Sequence, residues 1–239
     1  VASKKILVLV KSHDSRFVDY HNDLYENLEI LSRENSKTSE NVKFIYVKAD
    51  PGIAERCVLD DDTLWVRHEE NYWGSLKEKV LSAFDFFFRE SNDFDFAFVT
   101  NLSTFVNVKK LESECNDTES FDCKALTGIH SFDGSNFEFP SGAGAIFSKD
   151  LIRRILNFVD EVDCSNYPGT DDIFIGKVLD SMGINIQQIP RVDVLFATKE
   201  IQKVIDFSSR ATHTRIKFEN NRSLEQEYHR ILLDEISRK

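Results

Sequence analysis

Strand-like and helix-like segments alternate through the first half of this 239-residue chain, and that alternation constrains the fold more than any other feature. Residues 5–11 form an apolar run of the length of a buried strand. Phe17, Tyr20, Leu24, Leu28 and Leu31 follow at spacings of three and four, which puts them on one face of a helix. Residues 42–47 and 63–66 read as two further strands, with Pro51-Gly52 punctuating the exit of the first. A long helix is expected over residues 72–89, with Trp73, Leu76, Val80, Phe84, Phe87 and Phe88 as its buried stripe. Residues 94–99 read as a fourth strand, followed by the polar turn Thr100-Asn101-Leu102-Ser103 and a short helix at 108–111. This order predicts a single α/β domain over residues 1–239 whose mostly parallel mixed sheet is flanked by helices. Such sheets bind ligands beyond the C-terminal ends of their strands. Residues 11–16, 69–72 and 100–103 are therefore the places where a site is expected.

The second half is more mixed. Residues 125–131 read as a strand. Pro140-Ser141-Gly142-Ala143-Gly144 lies in what reads as a passage from strand to helix, and a helix is expected over residues 149–162. A Tyr167-Pro168-Gly169-Thr170 loop opens a helix through Ile173, Ile175, Val178, Leu179 and Met182 that ends at Gly183. Short strands are expected at 184–189, 192–195 and 212–218, with a closing helix from about residue 223. Residues 1–110 read as one half of the domain, and residues 111–239 as the other half with a closing segment.

Composition excludes some classes. The net charge of −11 argues against general nucleic-acid binding, because neutralising phosphates needs clustered Lys and Arg. No apolar run reaches the roughly 18 residues of a membrane span. Cys57, Cys115, Cys123 and Cys164 lack zinc-site spacing; Cys115 and Cys123 flank a polar loop and either pair or remain reduced thiols. A cytoplasmic location is expected, with a trimmed Golgi lumenal domain as the alternative.

Asp171 and Asp172 stand together at a helix start, where carboxylates complement the positive end of the helix dipole. They suit capping; they equally suit an arrangement in which one caps and the other faces a cleft as a general base. Small residues at Ser141, Gly142, Ala143 and Gly144 allow close approach of the backbone to a ligand or simply a tight turn. His213, Arg215 and Lys217 alternate along a strand and so share one face.

Four segments in order resemble the β1,3-glycosyltransferases that include the galactosyltransferases and Fringe. Glu70-Asn71-Tyr72 is similar to their Asp-Ser-Tyr segment. Residues 94–111 (FDFAFVTNLSTFVNVKKL) resemble their strand, aspartate triplet and following segment. Residues 139–154 (FPSGAGAIFSKDLIRR) resemble their Ser-Gly-rich segment, and residues 170–183 their acidic-pair helix. The resemblance implies a GT-A fold, a nucleotide-diphosphosugar donor, a glycan acceptor and inversion at the anomeric carbon. It puts the base on Asp172 or Asp171, with Asp172 favoured. The acceptor or sugar would lie along Ser141, Gly142, Ala143 and Gly144. Where the family has its metal-binding aspartates this chain has Asn101-Leu102-Ser103, so neither Mn²⁺ nor Mg²⁺ is expected. Asp60-Asp61-Asp62 and Asp93-Phe94-Asp95 fall at the wrong end of the sheet and read as turn residues. Donor contacts are then expected from Lys11, Arg16, Glu70, Asn101, Ser103, His213, Arg215 and Lys217, the basic groups replacing the metal at the diphosphate. The alternative is an inactive relative that binds sugar or nucleotide, or serves as a scaffold.

Overall fold

A computed structural model describes residues 3–14, 16, 22–70, 75–91, 93–117, 120–132, 135–162, 171–218 and 222–238. Strand β1 (Ile6–Lys11) is buried along its whole length, as expected of a central strand covered on both faces. β2 (Val42–Ala49) and β5 (Phe96–Asn101) flank it in parallel, with Ile6 opposite both Val42 and Phe96. β4 (Thr63–Val66) continues in parallel beside β2, and β3 (Cys57–Asp60) closes that edge as an antiparallel hairpin partner. Beyond β5 come β8 (Ser135–Ser148) and β7 (Cys123–Phe132), both antiparallel to their inner neighbours, and then β9 (Ile186–Gln187), which runs parallel to β7. The order is β3-β4-β2-β1-β5-β8-β7-β9.

Two helical layers cover this sheet. α1 (Asn22–Ser36) and α3 (Val108–Asn116) bury Leu28, Leu111 and Cys115 against the faces of Ile6, Val8 and Val10. α2 (Leu76–Phe86), α4 (Lys149–Phe158) and α5 (Asp171–Ser181) bury Val80, Phe84, Leu151, Ile155, Phe174 and Val178 against Leu7, Leu9 and Val99. α3 and α4 are capped: the Asn107 and Ser148 side chains accept the N–H groups of Lys110 and Leu151. Gly183, at φ +67°, ends α5 in the left-handed conformation that favours glycine.

The expectation of one continuous sheet is corrected. β6 (Thr104–Val106), β10 (Arg191–Val194) and β11 (His213–Ile216) form a separate three-stranded sheet, ordered β10-β11-β6. Only two residues, Leu102 and Ser103, separate β5 from β6, and that turn carries the chain out of the main sheet. α6 (Ile201–Ser208) and α7 (Ser223–Leu232) pack on the small sheet through Val204, Tyr228 and Leu232 around Ile216 and Phe218. The passage expected between strand and helix at residues 140–144 is instead part of β8. Ala125 faces Ala145 and Thr127 faces Pro140, so four residues, Ser141 to Gly144, stand against Leu126 alone. Such a bulge re-aims the strand locally.

Asp61 and Asp62 make the two-residue turn between β3 and β4, with Asp61 at φ +54°, a conformation Asp tolerates. Asp62 pairs with Arg33, and Asp93 with Lys5 at 2.7 Å. Both acidic runs lie at the N-terminal ends of the parallel strands, as expected. Cys115 and Cys123 are free, buried thiols. They belong to cores on opposite faces of the sheet, so the disulfide left open by the sequence does not form. The expected loop at residues 167–170, Asn71, Tyr72, Trp73, Phe17, Tyr20 and Cys164 lie outside the described residues.

Candidate active site

The C-terminal ends of β1 and β5, the bulge of β8 and the first turn of α5 meet around a cleft of about 400 Å³. That volume lies in the range of small-molecule sites. Lys11 ends β1, and its Nζ donates to Asp171 Oδ2 at 2.7 Å, with both side chains almost fully buried. Removing two charges from water is costly unless they meet in this way. Asp171 is thereby committed. Asp172, its half-buried neighbour, faces the cleft: Oδ2 accepts the Gly142 N–H at 3.1 Å and Oδ1 accepts the Ile173 N–H at 2.9 Å. A Cβ on Gly142 would lie 3.1 Å from both Asp172 Oδ2 and Lys11 Nζ, so a larger residue would crowd both acidic-pair contacts.

A second buried pair ties the cleft's floor together. Lys79 Nζ donates to Glu70 Oε1 at 2.6 Å and to the Ser12 carbonyl at 2.7 Å. Glu70 also accepts the Ala49 N–H and the Ser75 hydroxyl. The exits of β1 and β2 and the start of α2 are thus joined through one carboxylate. Burial pushes the Lys79 ammonium below its usual range, and Glu70 opposes that shift.

Cations dominate the lining. Lys11, Lys79, Arg191, Arg215 and Lys217 face the cleft with Glu70, Asp171 and Asp172, an excess of positive charge on a chain whose net charge is −11. Arg215 and Lys217 have no ion pair or side-chain hydrogen bond among the described residues. Arg191 reaches Ser141 Oγ at 2.6 Å through Nη1 and Asp193 through Nη2. Arg222, at the start of α7, donates to Ser103 Oγ and the Tyr25 hydroxyl, both at 3.2 Å.

Of the residues singled out in the sequence, Lys11, Glu70, Asn101, Ser103, Ser141, Gly142, Ala143, Asp171, Asp172, Arg215 and Lys217 line this one cleft. Three do not. Arg16 lies on the surface, held by Asp14 and Asp50 and set over the Trp65 ring. His213 is completely buried, edge-on to Phe98, and desolvation lowers its pKa to about 3. It is therefore neutral, and the basic face expected from residue 213 to residue 217 divides into a core histidine and two cleft cations. Gly144 sits behind the cleft; a Cβ there would lie 2.5 Å from His213 Nε2 and 2.7 Å from the Phe98 ring. Sequence reasoning assigned no role to Arg191 or Phe139, both of which line the cleft. Arg191 follows Pro190 in a short strand with no motif around it, and Phe139 opens the segment that carries a family resemblance, in which the small residues alone draw a site assignment.

Among the described residues, the polar groups of the lining are largely engaged with one another. Asn101 Oδ1 accepts the Ser103 N–H and the Thr104 hydroxyl, while its Nδ2 donates to the Gly142 carbonyl. Glu70 and Asp171 are each tied to a lysine, which leaves Asp172 as the one cleft carboxylate without a cationic partner among the described residues. Among the described residues no group of three or more His, Cys, Asp or Glu side chains is arranged to hold a metal ion.

No family's sequence model matches the chain, and no curated protein does. Solved structures do. A glycosyltransferase involved in the glycosylation of the major capsid of PBCV-1 superposes with a TM-score of 0.53 at 11% identity, over 95% of this chain and 99% of that one. The galactosyltransferase LgtC, in complex with donor and acceptor sugar analogs, gives 0.50 at 10% identity, over 95% and 96%. At such identities the likeness is one of fold: this chain has a glycosyltransferase-like α/β fold. Among the described residues no helix is long and apolar enough to cross a membrane.

Proposed function

We propose that this chain is an inverting glycosyltransferase that moves a sugar from a nucleotide-diphosphosugar to a hydroxyl of a glycan acceptor, without a metal ion. One observation carries the reading: Asp172, a carboxylate without a cationic partner among the described residues, shares a cleft with Arg215 and Lys217, two cations without an ion pair among those residues. The shared fold and the ordered resemblance to β1,3-glycosyltransferases support it.

Asp172 takes the proton of the acceptor hydroxyl as its oxygen attacks the anomeric carbon. The bond from that carbon to the diphosphate breaks on the opposite side, and the nucleoside diphosphate leaves with the electron pair. Arg215 and Lys217, with Arg191 beside them, meet the charge that grows on the leaving group. Preformed cations in a partly enclosed cleft can supply what a metal supplies elsewhere, since they need little rearrangement during the reaction. Lys11 acts indirectly, holding Asp171 and hence the first turn of α5. Asn101 shapes the donor side by holding the Gly142 carbonyl and the Ser103 turn.

Asp172→Asn keeps the shape and removes the base. Transfer is expected to fall by roughly 10²–10⁴-fold while donor affinity is retained. Transfer at the wild-type rate by the Asn variant would remove Asp172 from the mechanism.

A further inference from the structure

Beside its charged groups, the cleft's lining includes the apolar residues Leu76, Leu126, Gly128 and Phe139. Gly128 stands directly across from Phe139 in the β7–β8 ladder. A Cβ on Gly128 would lie 2.4 Å from the ring's Cζ and 2.7 Å from a Cε, so the ring is folded over a bare Cα. From the α5 side, a Cβ on Gly176 would fall 2.3 Å from the Phe139 Cβ and 2.7 Å from its Cα. Two glycines, one on a strand and one on a helix, thus create the space in which this side chain lies. Phe139 is half-buried and lines the cleft.

Its relation to Asp172 follows from helix geometry. Gly176 is four residues beyond Asp172, one turn along the same face of α5, so the two positions are roughly 6 Å apart. Asp172 touches Gly142 of β8 and Gly176 touches Phe139 of β8. Asp172 and Gly176 thus set two points of one seam between α5 and β8, at Gly142 and at Phe139. A ring over a strand glycine stabilises a sheet in its own right. Here the same residue lines the cleft that Asp172 and the hydrogen-bonded Arg191 and Ser141 also line. A pyranose has matching amphipathy: its C–H face suits an aromatic surface, and its rim carries hydroxyls.

We propose that Phe139 is the platform on which a pyranose ring of the acceptor stacks, bringing a rim hydroxyl to Asp172. This rests on the transferase reading above and deepens it, naming the surface of the cleft on which the acceptor's sugar ring lies.

The test is saturation-transfer NMR on the full chain, with the methyl glycosides of glucose, galactose and mannose as probes and the protein's aromatic protons irradiated. At least one glycoside is expected to receive saturation on its ring C–H protons. Phe139→Trp should keep that signal, and Phe139→Leu should weaken binding by about fivefold. Three results would overturn the proposal: no transfer to any glycoside, equal binding by Phe139→Leu and wild type, or equal loss in the Trp and Leu variants. Thermal melting verifies that the variants fold, and Phe139→Met, which fills the gap with a flexible side chain, substitutes if the Leu variant does not. Donor hydrolysis by the wild-type chain without acceptor is read separately. Its failure would strike the transferase reading and leave the glycoside result standing, so the two failures are distinguishable.

Discussion

Two adjacent aspartates in one helical turn have opposite environments, and the difference decides what each does. Asp171 is buried against Lys11, while Asp172 is half-exposed and, among the described residues, held by N–H groups alone. Asp171→Asn would leave the Lys11 ammonium buried without its partner, which is expected to cost about 3–5 kcal/mol in urea unfolding. Asp172→Asn removes no ion pair, and its melting temperature should stay close to that of the wild type. Similar losses of stability in the two variants would contradict this division of roles. In the same cleft, Arg215→Ala and Lys217→Ala should each weaken donor binding by roughly tenfold, the scale of a charge-assisted hydrogen bond, and should flatten its dependence on salt. The acidic pair was legible in the sequence as a helix start. Which member is committed was not, because the partner that commits Asp171 lies 160 residues earlier. His213 was misread for a related reason: alternation places it on the face of Arg215, but depth along that face depends on Phe98 and Gly144, which pack over it from other strands.

Among the elements, α5 and the β8 bulge do most to build the site. Gly176 lets the helix approach the strand, and Gly176→Ala would drive a Cβ into the Phe139 Cβ and backbone. Overpacking of this kind costs about 1–3 kcal/mol, so a clear fall in melting temperature is expected, together with weaker acceptor use. An unchanged melting temperature would mean that the seam between α5 and β8 is looser than the structure implies. The parallel strands were legible because each is a short, nearly continuous apolar run, as strands covered on both faces require. β8 was less so: small and polar residues in its bulge read as a turn, and only pairing with β7 reveals that the strand continues through them. β3 escaped notice as four residues at a sheet edge, and β6 as three residues directly after a turn. α6 does carry helical spacing at Ile201, Val204 and Ile205, a signal left unread. No single-residue pattern announces that β6, β10 and β11 leave the main sheet, because that depends on the partners each strand finds.

For the molecule as a whole, charge and burial set two expectations. An acidic protein with a cation-rich cleft repels anions generally and accepts them at one place, which suits a diphosphate donor. Its stability should also fall in mild acid. His213 and His229 are buried and neutral, with desolvation lowering their pKa values to about 3 and about 4. Between those values and the unfolded value of about 6.5, the unfolded chain binds the extra protons, so stability rises with pH across that window. As pH drops from about 6.5, each histidine should cost about 1.4 kcal/mol per pH unit until its folded value is reached. Urea unfolding of wild type and His229→Gln from pH 7 to pH 4.5 measures this, and the variant should show the shallower slope. Parallel slopes would mean that His229 takes up its proton in the fold without penalty.

The central claim is that this cleft binds and activates a nucleotide sugar without a metal. It is tested most directly by following slow hydrolysis across a panel of nucleotide-diphosphosugars, with and without EDTA, for wild type and Asp172→Asn. Turnover of a donor by the wild type, unaffected by EDTA and lost in the variant, is the predicted result. Turnover that EDTA abolishes would contradict the metal-free chemistry, and a chain that neither binds nor hydrolyses any donor would contradict the transferase reading itself.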